Sequence, residues 1–161
     1  MIGQDYQGGK VAYIFQPGDL GYVAGETHGL IAAALDLPGL YQWGCIEWNI
    51  IGADGQALGN GAQNTLDIVN AGCGGAAQAC ADLELNGYSD WFLPSVDELT
   101  QLYYNRDFIG GFQDNYYWSS SEVNFLNAWY LNFSPGEGNS NSPDYGNDKG
   151  FNIYVRAVRA F

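Results

Sequence analysis

The chain has 161 residues, 47% of them apolar and 16% aromatic, enough to build a core and too many for disorder. Its net charge of −13, from 18 acids against 5 bases, argues against nucleic acid as a partner, because that needs clustered cations and Lys10, Arg106, Lys149, Arg156 and Arg159 are scattered. The same balance disfavours anionic membrane surfaces, and the longest apolar run is broken by Asp36 and Pro38, so no membrane insertion is expected.

With 23 glycines and 14% charged residues, the composition points to one loop-rich, β-containing domain over residues 1–161. The opening MIGQDYQGGK has no signal-peptide core, so export would rest on a signal outside this chain or on a larger assembly. GKVAYIF (Gly9 to Phe15) reads as a strand, ended by the turn signal QPGDLG. HGLIAAALDL fits either a buried strand or a short helix. YQWGCIEWNIIG has strand-like aromatics and turns at ADGQALGNG, which lacks the following GK[ST] of a phosphate loop. NTLDIVNAG reads as a helix capped by Asn64, and AAQACADLEL as a second helical piece.

In GYSDWFLPSVDELTQLY, Ser95 and Glu98 stand at capping-box spacing before a helix from about Val96 to Asn105. Pro94 disfavours helix at Leu93 and sharpens the boundary. Capping explains the serine and the carboxylate better than catalysis does. Asp90 is expected to accept from local backbone N–H groups, and Trp91 to be a buried anchor. YYWSSSE, NAWYLNFS and FNIYVRAVRAF are three strand candidates, with Trp118 and Trp129 placed in the core.

The three cysteines are Cys45, Cys73 and Cys80, so at least one is free. Cys73 and Cys80 pair if GGAAQA bends. On a continuous helix they stand two turns apart, about 10 Å by helical rise, too far for a bridge. His28 is the only imidazole, which excludes HExxH zinc chemistry, and a site of three cysteines and His28 lacks any CxxC pair. His28 reads as a hydrogen-bonded histidine at a strand start. A cysteine–histidine nucleophile pair, and with it a hydrolase, is the third-ranked function.

Pro135 to Gly150 forms a loop almost without large apolar side chains, so it belongs at the surface. Glu137, Asp144 and Asp148 are the candidate metal ligands there, and calcium is the cation such oxygens suit, though the spacing is not that of an EF-hand. Solvated loop acids are the plainer reading. Asparagine, serine and tyrosine recur from Asn115 to Tyr154, the chemistry of adaptable binding surfaces.

GYSDWFLPSVDELTQLY, YYWSSSE, AWYLNF and VRAVRAF, in that order, resemble a bacterial domain family that includes the C-terminal domain of a collagen-like surface adhesin. GGKVAYIF, GDLGYVAGETHGLIAA, WG and GNGAQNT look like a longer form of it, so the resemblance covers nearly the whole chain. It implies an α+β, C-type lectin-like fold, related to that of formylglycine-generating enzymes. Such a fold has its first and last strands paired, here GKVAYIF with YVRAVRAF, two to three helices and a long irregular loop region. It further implies that Trp91, Leu93, Trp118 and Val158 are framework and that the variable surface lies around Asn124 to Asp148. The activating cysteines of the formylglycine-generating enzymes are missing, since no cysteine follows Cys80. The sugar-and-calcium motif of true C-type lectins is also missing.

The expected function is therefore a non-catalytic, extracellular or cell-surface recognition module that binds a glycan or a protein. Contacts are expected from Asn124, Asn127, Asn139, Asn141, Tyr145, Asn147 and Asp148, with no cofactor beyond calcium. Few cations would meet a sulfated ligand, which favours neutral glycans or a protein. The alternatives are a self-assembling subunit of a fimbria or phage tip, which would be an oligomer, and a retroelement-diversified receptor-binding protein on a virion.

Overall fold

The computed structural model of the chain describes residues 1–136 and 147–161. The elements are β1 (Asp5–Tyr6), β2 (Gly9–Ile14), β3 (Gly29–Ala32), α1 (Gly61–Asn70), α2 (Gly75–Ala81), α3 (Val96–Tyr104), α4 (Arg106–Ile109), β4 (Tyr116–Glu122), β5 (Asn127–Asn132), β6 (Asn147–Asp148) and β7 (Val158–Ala160). They form two antiparallel sheets, β1-β2-β3-β7 and β4-β5-β6, with the helices between them in sequence, an α+β architecture.

The final strand does not pair with GKVAYIF as expected. It pairs with β3, which stands between the two, in the register Leu30↔Ala160, Ile31↔Arg159, Ala32↔Val158. The cause lies in HGLIAAALDL, which is a strand covered on both faces. Ile31 enters one core with Trp43, Trp91, Leu93 and Trp118, while Leu30 and Ala32 enter a second with Phe92, Leu99, Tyr117 and Phe133. A strand buried on both sides needs no polar alternation, which is why its pattern was ambiguous with a helix. The same alternation divides Trp118 from Tyr117 and Ala157 from Val158 between the two cores. Trp91, Leu93, Trp118 and Val158 are all buried, as framework residues should be. Trp129 is only half-buried, so its assignment to the core holds in part.

YQWGCIEWNIIG is not a strand. Only Tyr41 pairs, in a bridge to Ile153, and the chain then turns, with Gly44, Cys45 and Glu47 at φ of 113°, 43° and 66°. Left-handed residues end an extended run. In α1 the N-cap is Asn60, not Asn64. Asn64 is buried inside the first turns, and its amide donates to the Gly55 carbonyl at 2.6 Å and to Ser120 Oγ at 3.3 Å.

The capping box of α3 is present. Ser95 Oγ accepts from the Glu98 N–H at 3.3 Å, and Glu98 Oε2 accepts from the Ser95 N–H at 2.8 Å. It reaches beyond the helix: Ser95 Oγ donates to the Ala57 carbonyl and Glu98 Oε1 accepts from the Gly59 N–H, which ties the irregular 54–60 segment to α3. Ser95→Ala should cost about 1–2 kcal/mol in urea unfolding, the range of a lost cap.

Glu98 is wholly buried, and burial pushes its carboxyl up to about 7 against the pull of the Ser95, Gly59 and Gly61 N–H groups. Unfolded, it titrates near 4.5, so between these values the folded state holds the extra proton. Its contribution to stability is fully present below that unfolded value and is lost as pH rises through about 7. Glu98→Gln should therefore flatten the fall in Tm between about pH 5 and about pH 8. His28, raised chiefly by its bond to Glu26, acts with the same sign in both proteins, so the difference between their pH profiles isolates Glu98.

Asp90 finds its main partner at a distance, beyond the local backbone N–H expected of it. Its carboxylate receives both Nε and Nη2 of Arg159, at 2.7 and 2.8 Å, while that guanidinium stacks on Tyr88. Arg156, fully buried, bonds Asp36 at 2.7 Å and lies over Phe112. The two arginines of VRAVRAF are thus internal fasteners. His28 precedes β3 and bonds the Phe161 carbonyl and Glu26, as expected of a structural histidine.

Candidate recognition surface

Three irregular segments meet around Lys149. Its ammonium has no exposure and bonds Glu122, a buried pair, while donating to the Trp48 carbonyl at 2.7 Å and lying 4.7 Å over the Trp43 ring. Glu122, at the end of β4, also accepts the Ile50 N–H at 3.0 Å. The Lys149 backbone donates to the Leu126 carbonyl and accepts from Trp43. One residue, through its side chain and its backbone together, therefore joins the 43–50 segment, the β4–β5 turn and the segment after β6. Such a charge is tolerated in a core because every side of it is met by a carboxylate, a carbonyl or a π face.

The 43–50 segment has a second fastening. Cys45 is bridged to Cys73, with the Cα atoms 4.7 Å apart, and Cys80 is the free, buried thiol. Of the two readings the sequence left open for Cys73 and Cys80, a bridge if GGAAQA bends or none, the structure has no bridge between them. Cys80 lies within α2, buried against the Trp43 core, whereas Gly44 brings Cys45 alongside the Cys73 carbonyl. Burial raises the Cys80 thiol far out of its usual range, which leaves it without nucleophilic character near neutral pH.

Large apolar side chains are held out to water on these fastened segments. Trp48 is 65% exposed, Phe151 57%, Ile46 44% and Leu126 36%. Ile51 and Phe125 beside them are also exposed. They hang from one neighbourhood: Trp48 and Leu126 contribute carbonyls to Lys149, Phe151 lies two residues beyond it, and a β-carbon on Gly150 would stand 3.3 Å from Ile46 Cδ1. Glu47 in the 43–50 segment and Asp148 in β6 are exposed, and so is Asp54, next to Ala53, whose carbonyl accepts from the Glu122 N–H.

Of the seven expected contact residues, four come together here. Asn127 pairs with Asp148 and Ala128 with Asn147 across β5 and β6, and Asn124 sits in the turn before. Two of these side chains are occupied locally: Asn124 Oδ1 accepts from the Leu126 and Asn127 N–H groups, and Asp148 Oδ1 from Gly150. Asn139, Asn141 and Tyr145 lie outside the described residues, as do Glu137 and Asp144 of the expected calcium set. Among the described residues, no three acidic, histidine or cysteine side chains are grouped to hold a metal.

Sequence reasoning missed Ile46, Trp48, Leu126 and Phe151. Within a strand reading of YQWGCIEWNIIG, Trp48 and Ile46 fall on one packed face. The signal that separates them is Gly44–Cys45, a glycine beside a cysteine that has to reach a distant partner.

The family model for the Lcl C-terminal domain matches residues 42–159. The chain belongs to that family. The Lcl C-terminal domain is a bacterial surface-protein domain of collagen-like proteins, which agrees with the resemblance read from the sequence. No curated protein matches the chain. Among the described residues no helix is long and apolar enough to cross a membrane. The Lcl match begins at Gln42, so β1, β2 and β3 precede it, yet β3 holds the strand at which it ends.

Proposed function

We propose that this Lcl C-terminal domain is a non-catalytic recognition module that binds a glycan or protein ligand outside the cell, through the surface around Lys149. The observation that carries the reading is the set of large apolar side chains, Trp48 and Phe151 foremost, exposed on segments bolted down by a disulfide and a buried ion pair. Exposed aromatics cost solubility, and rigid placement lowers the entropy lost on binding, a combination that suits an interface. The Cys45–Cys73 bridge fits an oxidising compartment and so an extracellular site of action. Asn124, Asn127 and Asp148 supply polar groups at the rim, and Asn139, Asn141, Tyr145 and Asn147 belong to the same proposal.

The test is binding of the labelled domain to glycan and purified-protein arrays, with and without calcium. Trp48→Ala should weaken binding about tenfold or more, the effect of losing a central aromatic. Tyr104→Ala, on the exposed face of α3, should leave it unchanged. Equal binding by the Trp48 variant would refute the placement of the site, and turnover that depends on His28 or Cys80 would overturn the non-catalytic reading.

A further inference from the structure

We infer that the surface around Lys149 takes a basic protein with an apolar centre, and not a sugar or a second copy of this chain. The inference rests on the recognition reading above and deepens it. Its first ground is the fate of the bases. The chain has only five, and none falls in the segment outside the described residues. Lys149 and Arg156 have no exposure, Arg159 has 6%, Lys10 is paired with Asp5 on the β1–β2 ribbon, and Arg106 is bonded to the Tyr103 carbonyl in α4. Lys149, the one base among the three segments, is spent inside. Among the described residues, the charged side chains left exposed around it are therefore acidic: Glu47, Asp54 and Asp148.

The second ground is the type of apolar group. Ile46, Ile51 and Leu126 stand with Trp48 and Phe151. An aromatic ring can stack on a sugar, but exposed isoleucine and leucine offer hydroxyls nothing. Apolar centres of mixed aliphatic and aromatic side chains inside a charged rim are the anatomy of protein interfaces. Self-association through this face would set Glu47, Asp54 and Asp148 against the same carboxylates of the other copy, and like charges at an interface are strongly unfavourable. A basic rim on the partner turns that repulsion into attraction and speeds encounter.

The third ground is backbone. Cys45 and Glu47 both hold positive φ, a conformation that side chains adopt only when the surroundings enforce it, and they flank Ile46 and precede Trp48. The disulfide and the Lys149 contact to the Trp48 carbonyl do the enforcing.

The experiment uses an array of purified bacterial-envelope and extracellular-matrix proteins of known isoelectric point, a parallel array of neutral glycans, and light scattering of the domain alone. Expected hits are proteins with isoelectric points above about 8, weakened about tenfold or more by Trp48→Ser and by raising salt from about 0.05 to about 0.3 M. The double variant Glu47→Gln/Asp54→Asn should lose much of the salt dependence while keeping the native circular dichroism. Hits without bias towards basic proteins, or indifferent to Trp48→Ser, overturn the inference. Trp48-dependent glycan hits without protein hits overturn it too but leave the recognition reading standing, and so do dimers abolished by Trp48→Ser. Silence on both arrays with a monomeric domain overturns the inference and the recognition reading together.

Discussion

Lys149→Ala is expected to lower the free energy of unfolding by about 3–5 kcal/mol, measured by urea denaturation, the range for breaking a buried ion pair from one side. The Lys149 side chain has no exposure and that of Glu122 only 6%. Removing the ammonium strands the carboxylate in the interior and leaves the Trp48 carbonyl without its donor. Glu122→Gln/Lys149→Met should recover much of the loss, because removing both charges together removes the desolvation cost as well. The recovery would not extend to the presentation of Trp48, since methionine cannot donate to its carbonyl. A double variant that is stable yet weak in binding would separate the two roles of the lysine. A Lys149→Ala protein as stable as the wild type would mean that Glu122 finds water in the folded state.

Cys45→Ser/Cys73→Ser should cost roughly 3–4 kcal/mol, from the chain entropy released when a bridge is removed from a loop of this length; the cysteines are 28 residues apart. The comparison is thermal unfolding of the variant beside the oxidised and reduced wild type. The variant should match the reduced protein, because both lack the bridge and Cys80, the one cysteine the variant keeps, has no thiol to pair with. Cys80→Ser is the control. It places a hydroxyl in an apolar core and destabilises under oxidising and reducing conditions alike. Loss of the bridge also frees Cys45 and Glu47 from their left-handed backbone, so binding should fall further than the loss of folded protein accounts for.

What was legible in the sequence was what neighbouring residues decide among themselves. Ser95 and Glu98 cap α3 because the partners are three residues apart, and a spacing is a sequence quantity. YYWSSSE and NAWYLN are strands because both carry the residue types that strands favour. The partners that the sequence did not disclose are distant ones. Asp90 is satisfied by Arg159, Glu122 by Lys149 and Cys45 by Cys73, each choice made by the folded chain. The strand order failed for the same reason: the resemblance implied a pairing of chain ends, and β3 took the place between them through its burial on both faces. The candidate surface was legible in part. The asparagines around β5 and β6 lie in one neighbourhood, but the exposed apolar groups were hidden in a segment that looked like core.

The position of β3 has a practical consequence for anyone who trims this chain. The family match begins at Gln42, and an expression boundary drawn there would discard β3 while keeping β7. The Val158–Ala160 strand would then offer an unpaired edge, and the core that Leu30 and Ala32 help to close, with Phe92, Leu99 and Leu102, would lie open beside it. An open edge beside bare apolar surface is a template for aggregation. The shortened protein should collect in inclusion bodies, while one that starts before β1 stays in solution.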